Sequence, residues 1–435
     1  MSSLMPEKFF SKVKHLKGMQ DVLVNEMNYY EHVQKIIEEY AQDYGFHKID
    51  TPILETSKLF ERSTGKETDI VQKEMFSFFD KNHDKISLRP EGTPGVARAF
   101  IENGLYNLAQ PLQLYYWGSM FRRENPQLGR RRQFTQAGFE IFSSVSSALD
   151  VQLIFLGFLI FEALNLKDIS IQVNSIGCKE CRGVYLGMLK EYYYGRKRGL
   201  CADCKKRANK NLFRILDCKE ERCSALKKNA PRLIDVLCKA CHRHFKLVLE
   251  YLDEVKIVYE INSCLVRGLD YYNRTVFEFV YKNSPELKNL SLGGGGRYDY
   301  LIESLGGKET PAVGMALGIE RIILLLKTTK QNFKEEKGCD IFFIHLGELA
   351  KQKSLQIFEQ LRKRKIKIKQ ALGKDSIKAQ LKTANKMKAK FSIILGQKEA
   401  IDNTVLIREM ESGIQEVVKL CNLEKEIIRR LKKLK

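Results

Sequence analysis

The sequence FRRENPQLGRRRQFTQAGFE, from Phe121 to Glu140, places an arginine-rich loop between two strand-like segments. From Arg132 onward, every second residue lies on one face if the segment is a β-strand. That face would carry Phe134, Gln136 and Glu140, and a carboxylate inside a sheet face is rarely structural unless it is paired. Guanidinium groups on the loop suit a bidentate grip on phosphates. The stretch therefore predicts two strands that carry binding groups for an anionic ligand.

Further strand-like runs surround this stretch, and several follow one another without a helix between them. Consecutive strands of this kind favour an antiparallel sheet over a doubly wound parallel one. Pro52 predicts an edge or a bulge within the first run, because proline cannot donate to a strand ladder. An amphipathic helix is predicted over Asn25–Tyr44, with Gly45 ending it. The strand-like runs are Ile49–Leu54, Lys85–Arg89, Leu112–Gly118, Arg132–Phe142, Ile169–Val173, Thr275–Val280 and Ser291–Gly293.

The pattern changes after the Lys-rich stretch Lys327–Lys337, where short strands alternate with helices. Helices are predicted at Leu349–Lys363 and Ser376–Met387. This alternation predicts a separate α/β domain. Its predicted strands are Ile341–Ile344, Ile366–Ile368, Phe391–Leu395 and Thr404–Ile407.

The charge of the chain predicts a phosphate-rich partner. Lys and Arg number 74 against 53 Asp and Glu among 435 residues, a formal net charge of +21. Between Gly338 and Lys435 there are 23 basic and 11 acidic residues, so this stretch is the best candidate surface for nucleic acid. The alternative is that the charge only keeps the protein in solution.

Secretion and membrane insertion are not expected. The N-terminal stretch lacks the apolar core and the cleavage site of a signal peptide. The most apolar run, Leu153–Phe161, is shorter than the ~20 residues that cross a bilayer, and it predicts a buried helix. We therefore expect a cytoplasmic protein with no membrane partner and with its eleven cysteines mostly reduced.

Four other segments carry groups with binding chemistry. A Pro/Gly turn over Leu88–Thr93 exposes a carboxylate and a hydroxyl, which could hold an ammonium group. A strand follows Leu265–Thr275, and the glycine run Gly293–Gly296 permits close backbone approach. No Gly-Lys-Ser/Thr follows that run, which excludes a Walker-type phosphate loop. In Gly314–Arg321 an arginine opens an apolar helix over Ile322–Leu326, against the helix dipole, which indicates a ligand or a buried partner.

Taken together, these segments resemble the histidyl-tRNA synthetase family over nearly the whole chain. Gly45–Glu55 resembles motif 1 of the class II synthetases, with its dimer-interface proline, Phe121–Glu140 resembles motif 2, and Gly314–Leu326 resembles motif 3. Leu265–Thr275 and Gly295–Asp299 resemble the two histidine-specific motifs, of which Arg-Gly-Leu-Asp-Tyr-Tyr is highly specific.

The resemblance implies an α+β fold: an antiparallel-sheet class II catalytic core with a helical, Cys-rich insertion, followed by a C-terminal α/β anticodon-binding domain. The catalytic core is expected over residues 1–170 and 259–330, the insertion over 171–258, and the anticodon-binding domain over 338–435. Motif 1 also implies a homodimer. The insertion of the family embraces the tRNA acceptor arm, and six basic residues suit that task here: Arg196, Lys197, Arg198, Lys205, Lys206 and Arg207.

Roles of individual residues also follow from the resemblance. Arg122 and Arg321 would grip the ATP phosphates, and Arg267 would contact the α-phosphate, which makes these three the candidate catalytic residues. Phe134 would stack on adenine, with Glu124 and Arg130 also at the nucleotide. The residues expected to bind histidine are Glu91, Gly92, Thr93, Arg122, Gln136, Glu140, Arg267, Tyr271 and Tyr272. Among these, Glu140 and Tyr272 would bond the two imidazole nitrogens, and Tyr271 would line their pocket.

The implied activity is histidine–tRNA ligase, with ATP and Mg²⁺, L-histidine and tRNA(His) as partners. A pocket that pairs both ring nitrogens rejects analogues without them by ~10⁴ or more. Three alternatives stay open: a synthetase-like regulatory protein without ligase activity, a class II ligase for another amino acid, and an RNA-binding module. The regulatory relatives usually lack the motif arginines and the C-terminal domain, both of which this chain has.

Eight cysteines fall in one window of the insertion. Three Cys-x-x-Cys pairs have zinc-like spacing, so two Cys₄ sites are geometrically possible. Against a metal, the family does not depend on one here, and buried free cysteine is a common small apolar residue. Structural Zn²⁺ is therefore considered but not expected. The eight residues are Cys178, Cys181, Cys201, Cys204, Cys218, Cys223, Cys238 and Cys241.

Overall fold

The computed structural model describes residues 13–65, 68–210, 212–218, 220–283, 290–329 and 338–433. The chain divides into two units, Met1–Gln331 and Asn332–Lys435. No described helix is both long enough and apolar enough to span a bilayer.

An eight-stranded sheet lies at the centre of the first unit, in the order β1-β5-β6-β11-β10-β9-β7-β8, and a small sheet has the order β2-β4-β3. Only the outermost pairs of the large sheet, β1 with β5 and β7 with β8, are parallel. The antiparallel prediction is therefore confirmed. The strands of this unit are β1 (His47–Lys48), β2 (Leu54–Thr56), β3 (Ser77–Phe79), β4 (Lys85–Leu88), β5 (Leu112–Phe121), β6 (Gln133–Phe142), β7 (Ile169–Ser175), β8 (Tyr259–Ile261), β9 (Asn273–Tyr281), β10 (Leu290–Arg297) and β11 (Ala312–Gly318).

One strand prediction was wrong, and the strands β1, β3, β8 and β11 were not predicted. Residues 49–53 form no strand, because Pro52 has no N–H to donate and the chain passes here from the large sheet to the small one. Within this segment the Ile49 N–H donates to the Tyr115 carbonyl at 2.9 Å. Strand β11 was not predicted, since its small residues resemble a helix start. It nevertheless pairs with both β6 and β10 at the centre of the sheet.

Helices cover the large sheet and form the insertion between β7 and β8. The run Leu153–Phe161 lies in a mostly buried helix, as predicted. The helix of motif 3 begins at Ile319, earlier than predicted. The helices are α1 (Val24–Asp43), α2 (Ser57–Ser63), α3 (Thr93–Glu102), α4 (Ser147–Ala163), α5 (Lys179–Tyr194), α6 (Ala202–Lys210), α7 (Phe213–Leu216), α8 (Glu221–Lys228), α9 (Lys239–Glu254), α10 (Leu301–Ser304) and α11 (Ile319–Thr328).

A buried ion-pair network fixes β10 against α4. The Arg297 side chain is fully buried and pairs with Asp150 of α4 and with Asp299, the latter at 3.2 Å. His244 of α9 contacts Asp150 at 3.3 Å. Burial would raise the pKa of Asp150, but Arg297 and His244 lower it to about 2. Arg297 and Asp299 of the segment Gly295–Asp299 therefore hold the scaffold together.

The glycine run of β10 is required by close packing. A Cβ at Gly294 would lie 2.5 Å from the Phe277 carbonyl oxygen and 2.8 Å from Nη1 of Arg267. A Cβ at Gly295 would lie 2.0 Å from the Gly314 carbonyl oxygen. Larger residues would therefore push away both neighbouring strands and Arg267.

The second unit has a five-stranded sheet in the order β13-β12-β14-β15-β16, with β12, β13 and β14 parallel. The four predicted strands and both predicted helices are present, with small shifts at their ends, and β16 was not predicted. The elements are β12 (Ile341–His345), α12 (Glu348–Lys363), β13 (Ile368–Gln370), α13 (Ile377–Lys386), β14 (Phe391–Leu395), α14 (Gln397–Asp402), β15 (Thr404–Glu409), β16 (Gln415–Lys419) and α15 (Leu423–Lys433).

Candidate active site

A cavity of about 1100 Å³ lies against the large sheet, at the upper end of the ~300–1,000 Å³ typical of ligand pockets. It brings together segments that are far apart in the sequence: the turn before α3, β6 with its preceding loop, the segment before β9, and the start of α11. Eleven of the thirteen predicted site residues line it. They are Glu91, Thr93, Arg122, Glu124, Arg130, Phe134, Gln136, Arg267, Tyr271, Tyr272 and Arg321.

Gly92 and Glu140 lie directly behind the wall of this cavity. Gly92 leaves room for the ring of Tyr116, since a Cβ there would lie 2.2 Å from Cζ of that ring. Glu140 is fully buried on β6, and its carboxyl accepts hydrogen bonds from Thr93 Oγ1, at 2.6 Å, and from the Tyr298 hydroxyl. Each of the two carboxyl oxygens of Glu140 is thus already bonded to a neighbouring hydroxyl.

Burial changes the electrostatics of Glu140. The loss of hydration raises the pKa of its carboxyl to about 8, although the hydrogen bonds from Thr93 and Tyr298 oppose the rise. The nearby carboxylate of Glu91 raises it further. Glu140 is therefore mostly protonated at neutral pH.

Glu91 is the buried carboxylate on the cavity wall. It accepts hydrogen bonds from the Tyr271 hydroxyl at 2.7 Å and from Thr64 Oγ1 at 2.9 Å. Burial raises the pKa of Glu91, and the bond from Tyr271 and the charge of Arg122 act against this rise. Glu91 thus lies where an ammonium group, Arg122 and Arg267 can all interact with it.

Arginines of the loop between β5 and β6 line the other end of the cavity. Arg122 donates from Nε to the Pro90 carbonyl at 2.9 Å, and its guanidinium lies 5.4 Å from the centre of the Phe134 ring. Glu124 pairs with Arg130 at 2.9 Å and with Arg122 at 3.8 Å. The two cations share one carboxylate, so this end of the cavity suits an anion.

Arg321 and Arg267 complete the cationic lining. Arg321, in the first turn of α11, donates to the carbonyls of Gly129 at 3.0 Å and Ser291 at 2.7 Å. These bonds supply a buried partner, one of the two alternatives that the sequence left open for this arginine. Burial lowers the pKa of Arg321, and the nearby charges of Arg130 and Arg122 lower it further. Repulsion of this kind is relieved when a polyanion binds between the arginines.

The Arg267 guanidinium lies 5.7 Å from the centre of the Tyr272 ring and 3.4 Å from a carboxylate oxygen of Glu278. Three buried polar atoms of cavity residues, Nε of Arg267, Oε1 of Gln136 and the hydroxyl oxygen of Tyr116, have no hydrogen-bond partner among the described residues. Buried polar atoms without partners are rare in folded proteins. Their presence in the cavity wall indicates that a polar ligand binds there.

Comparisons with known proteins identify the family of the chain. The family model "Histidyl-tRNA synthetase" matches residues 18–181 and 194–322, which is more than half of the chain. The chain belongs to the histidyl-tRNA synthetase family. The model "Anticodon binding domain" matches residues 340–430, which lie in the second unit.

Curated relatives and solved structures extend the match. A Histidine–tRNA ligase of Dehalococcoides mccartyi is 42% identical over 94% of this chain and 99% of its own length. One of Acetivibrio thermocellus is also 42% identical, over 94% of this chain and 97% of its own length. The crystal structure of apo S. aureus histidyl-tRNA synthetase is 31% identical, with a TM-score of 0.79, and covers 96% of this chain and 100% of that one.

The sequence did not single out several residues that complete the site. Tyr116 of β5 is sandwiched between Gly92 and Gly138, where a Cβ would lie 2.2 Å and 2.1 Å from its Cζ atom. Tyr298 holds Glu140, and Thr64 holds Glu91. The only signal for Tyr116 was its place in an apolar strand, which core packing explains equally well.

The insertion also borders the cavity. Leu216, Asp217, Cys218 and Lys227 belong to its lining. Nζ of Lys227 donates to the carbonyls of Leu216, at 3.1 Å, and Cys218, at 2.5 Å. These bonds join the loop after α7 to α8. The folded structure of the insertion therefore affects the shape of the site.

The cysteines of the insertion form two groups. Cluster A contains Cys178, Cys181, Cys238 and Cys241, and cluster B contains Cys201, Cys204, Cys218 and Cys223. Among the candidate acceptor-arm residues, Arg207 pairs with Asp69 at 3.3 Å, and Arg196 lies 4.3 Å from the centre of the Tyr192 ring. Lys197, Arg198, Lys205 and Lys206 have exposed side chains.

Proposed function

We propose that the arginine-lined cavity is where this chain activates histidine with ATP before transferring it to tRNA(His). The chain is a histidine–tRNA ligase, as its family and its curated relatives show. The observation that carries the site assignment is one cavity that is lined by the buried carboxylate of Glu91, three tyrosines and five arginines. No other arrangement in the described first unit combines amino-acid and polyphosphate chemistry in this way.

At the amino-acid end, Glu91 accepts a hydrogen bond from the ammonium group of histidine, and the free Oε1 atom of Gln136 accepts another. Thr93, Tyr271 and Tyr272 enclose the imidazole ring. Glu140 acts through Thr93, or contacts the ring directly when the Thr93 hydroxyl turns away. A proton on Glu140 would allow it to donate to an imidazole nitrogen that lacks one.

At the nucleotide end, the adenine ring stacks on Phe134, and the phosphates bind between Arg122, Arg130 and Arg321. Mg²⁺ enters as part of the MgATP substrate. Arg267 lies close enough to Tyr272 to bridge the amino acid and the α-phosphate. Because all four guanidiniums are held by backbone carbonyls or carboxylates, they need little reorganisation when the triphosphate binds.

The reaction is an in-line attack of the histidine carboxylate on the α-phosphorus. A P–O bond forms to the carboxylate, the bond to the β-phosphate oxygen breaks, and pyrophosphate leaves with that electron pair. The carboxylate is already ionised at neutral pH, so the step needs no general base. Positioning by Glu91 and Gln136 and charge stabilisation by Arg122, Arg267 and Arg321 lower the barrier.

Transfer of the histidyl group to the terminal adenosine of the tRNA completes the cycle. The basic second unit and the exposed lysines of the insertion are the proposed tRNA contacts, the second unit at the anticodon. A role in translation places the protein in the cytoplasm, where its cysteines stay reduced.

Exposed apolar side chains support a homodimer. Four apolar side chains are 45–67% exposed: Ile53 and Leu54 in the motif 1 segment, and Phe78 and Phe79 on β3. Clustered apolar exposure of this kind marks interaction surfaces. Sedimentation of the purified protein at about twice the 50.3 kDa chain mass would support the dimer, and sedimentation as a monomer would contradict it.

Histidine-dependent exchange between ATP and pyrophosphate tests the proposal. The purified protein should catalyse exchange with histidine and with no other standard amino acid. Exchange with a different amino acid would contradict the pocket assignment. A complete absence of exchange would favour the regulatory alternative, against which the identity to curated ligases already argues.

A further inference from the structure

The two cysteine clusters have the geometry of tetrahedral metal sites. Within each cluster all four Sγ atoms lie within 4.8 Å of one another. Four thiolates about 2.3 Å from one Zn²⁺ ion are separated from each other by about 3.8 Å. The Sγ distances are 3.6 Å for Cys178–Cys181, 3.9 Å for Cys178–Cys238 and 3.8 Å for Cys201–Cys218.

Other cysteine chemistry fits these distances less well. A disulfide requires sulfur atoms about 2.05 Å apart, and all eleven cysteines are free. A multi-iron cluster shares its four thiolates among two or four irons and therefore spreads them more widely than a single ion does. Separate apolar packing of free cysteines gives no reason for four sulfurs to converge on one point twice.

The surroundings of the sulfurs also suit thiolates. Backbone N–H groups donate to sulfur from Cys238 to Cys181 at 3.1 Å, from Cys201 to Cys223 at 3.3 Å and from Cys204 to Cys201 at 3.4 Å. Cys178 and Cys238 stand at the N-caps of α5 and α9, where the helix dipole favours negative charge. Donors of this kind orient thiolate ligands around a metal.

We propose that clusters A and B each bind one structural Zn²⁺ ion. Each site has four protein ligands and leaves no position for a substrate, as in closed structural zinc sites. Binding releases the thiol protons to solvent, and no oxidation is involved. The ions therefore stabilise the fold and take no part in the ligase chemistry.

The two ions would stabilise different parts of the insertion. Cluster A joins the start of α5 to the start of α9, and so closes the base of the insertion. Cluster B joins the start of α6 to the segment after α7 and also to α8. Over residues 202–208 of α6, Cys204 is the only buried side chain, so apolar packing alone gives this helix little support.

Cluster B thereby supports one wall of the active-site cavity. Cys218 belongs both to the cluster and to the cavity lining, next to Asp217, and Lys227 binds its carbonyl. Loss of this ion should loosen the cavity wall formed by residues 216–218 and 224–227. Loss of the ion in cluster A should free the whole insertion.

The test is the metal content of the full-length protein purified without chelators or metal-affinity steps from zinc-supplemented medium. Elemental analysis should find about two zinc ions per chain, and X-ray absorption should show four sulfur ligands at about 2.3 Å. If the purified wild-type protein contains no metal, or contains iron, the proposal is overturned. This result does not depend on whether any variant can be purified.

Paired variants assign each ion to its cluster. Cys201→Ser with Cys223→Ser should remove one zinc, and Cys178→Ser with Cys241→Ser should remove the other. The control Cys421→Ser changes an exposed cysteine of the second unit and should keep both. Hydrogen exchange over residues 201–223 should accelerate in the cluster B variant. Unchanged zinc content in a folded cluster variant would refute the assignment for that cluster.

Discussion

The substitution Glu140→Gln tests whether burial holds this carboxyl in its protonated form. Folding raises its pKa from 4.5 to about 8. Between these values the folded chain binds a proton that the unfolded chain has released, so the free energy of unfolding falls as pH rises through this window. Glutamine has nearly the same shape and no proton to release, so the variant should lack this loss.

The expected magnitude follows from the two pKa values. At about 1.4 kcal/mol for each pKa unit, the stability of the variant relative to the wild type should rise by about 3 kcal/mol between pH 5.5 and 8.5. This figure is an upper bound, because water entering the cavity would reduce the burial of the carboxyl. The effects of titrating groups that do not interact with Glu140 cancel in the difference.

Urea unfolding followed by tryptophan fluorescence measures this difference. The chain has a single tryptophan, Trp117, and it lies in β5 of the first unit, so the signal reports on the unit that contains Glu140. Glu309→Gln is a matched control, since it changes an exposed carboxylate of the same unit. A difference between Glu140→Gln and the wild type that does not vary with pH would refute the reasoning.

Three further predictions follow from the site. Arg321→Lys should lower kcat/KM for ATP by roughly 10- to 100-fold in pyrophosphate exchange, because lysine cannot bond both the carbonyls that hold the guanidinium and the phosphates; unchanged kinetics would remove Arg321 from the ATP site. Tyr271→Phe removes the 2.7 Å bond to the buried Glu91 and should raise the KM for histidine while leaving the KM for ATP unchanged; equal changes in both would indicate a general structural effect. Gly138→Ala places a Cβ 2.1 Å from the Tyr116 ring and should destabilise the first unit by at least ~1–3 kcal/mol in the same urea assay. Gly187→Ala in α5, where nothing lies within 4 Å, should be neutral or stabilising, and similar losses in both would contradict the packing argument.

Much of the fold was accessible from local patterns. The alternation from Arg132 to Glu140, the amphipathic first helix and the alternating elements after Gly338 all predicted the elements that form. Each of these signals lies within a few residues of chain, and so the sequence displays it directly. The failures occurred where a local pattern was ambiguous: β11 consists of small residues, and its identity as a strand depends on its pairing with β6 and β10.

The sequence by itself determined which chemical groups are available: an arginine-rich loop, the motif residues of the family and eight cysteines at metal-like spacing. The tertiary structure decided which of them meet. Only the packing of distant segments shows that Glu140 is enclosed by Thr93 and Tyr298, that Tyr116 fills the space left by two glycines, and that the first two and the last two of the eight cysteines form one cluster while the middle four form another. These are contacts between residues far apart in the chain, and such contacts exist only once the whole core has formed.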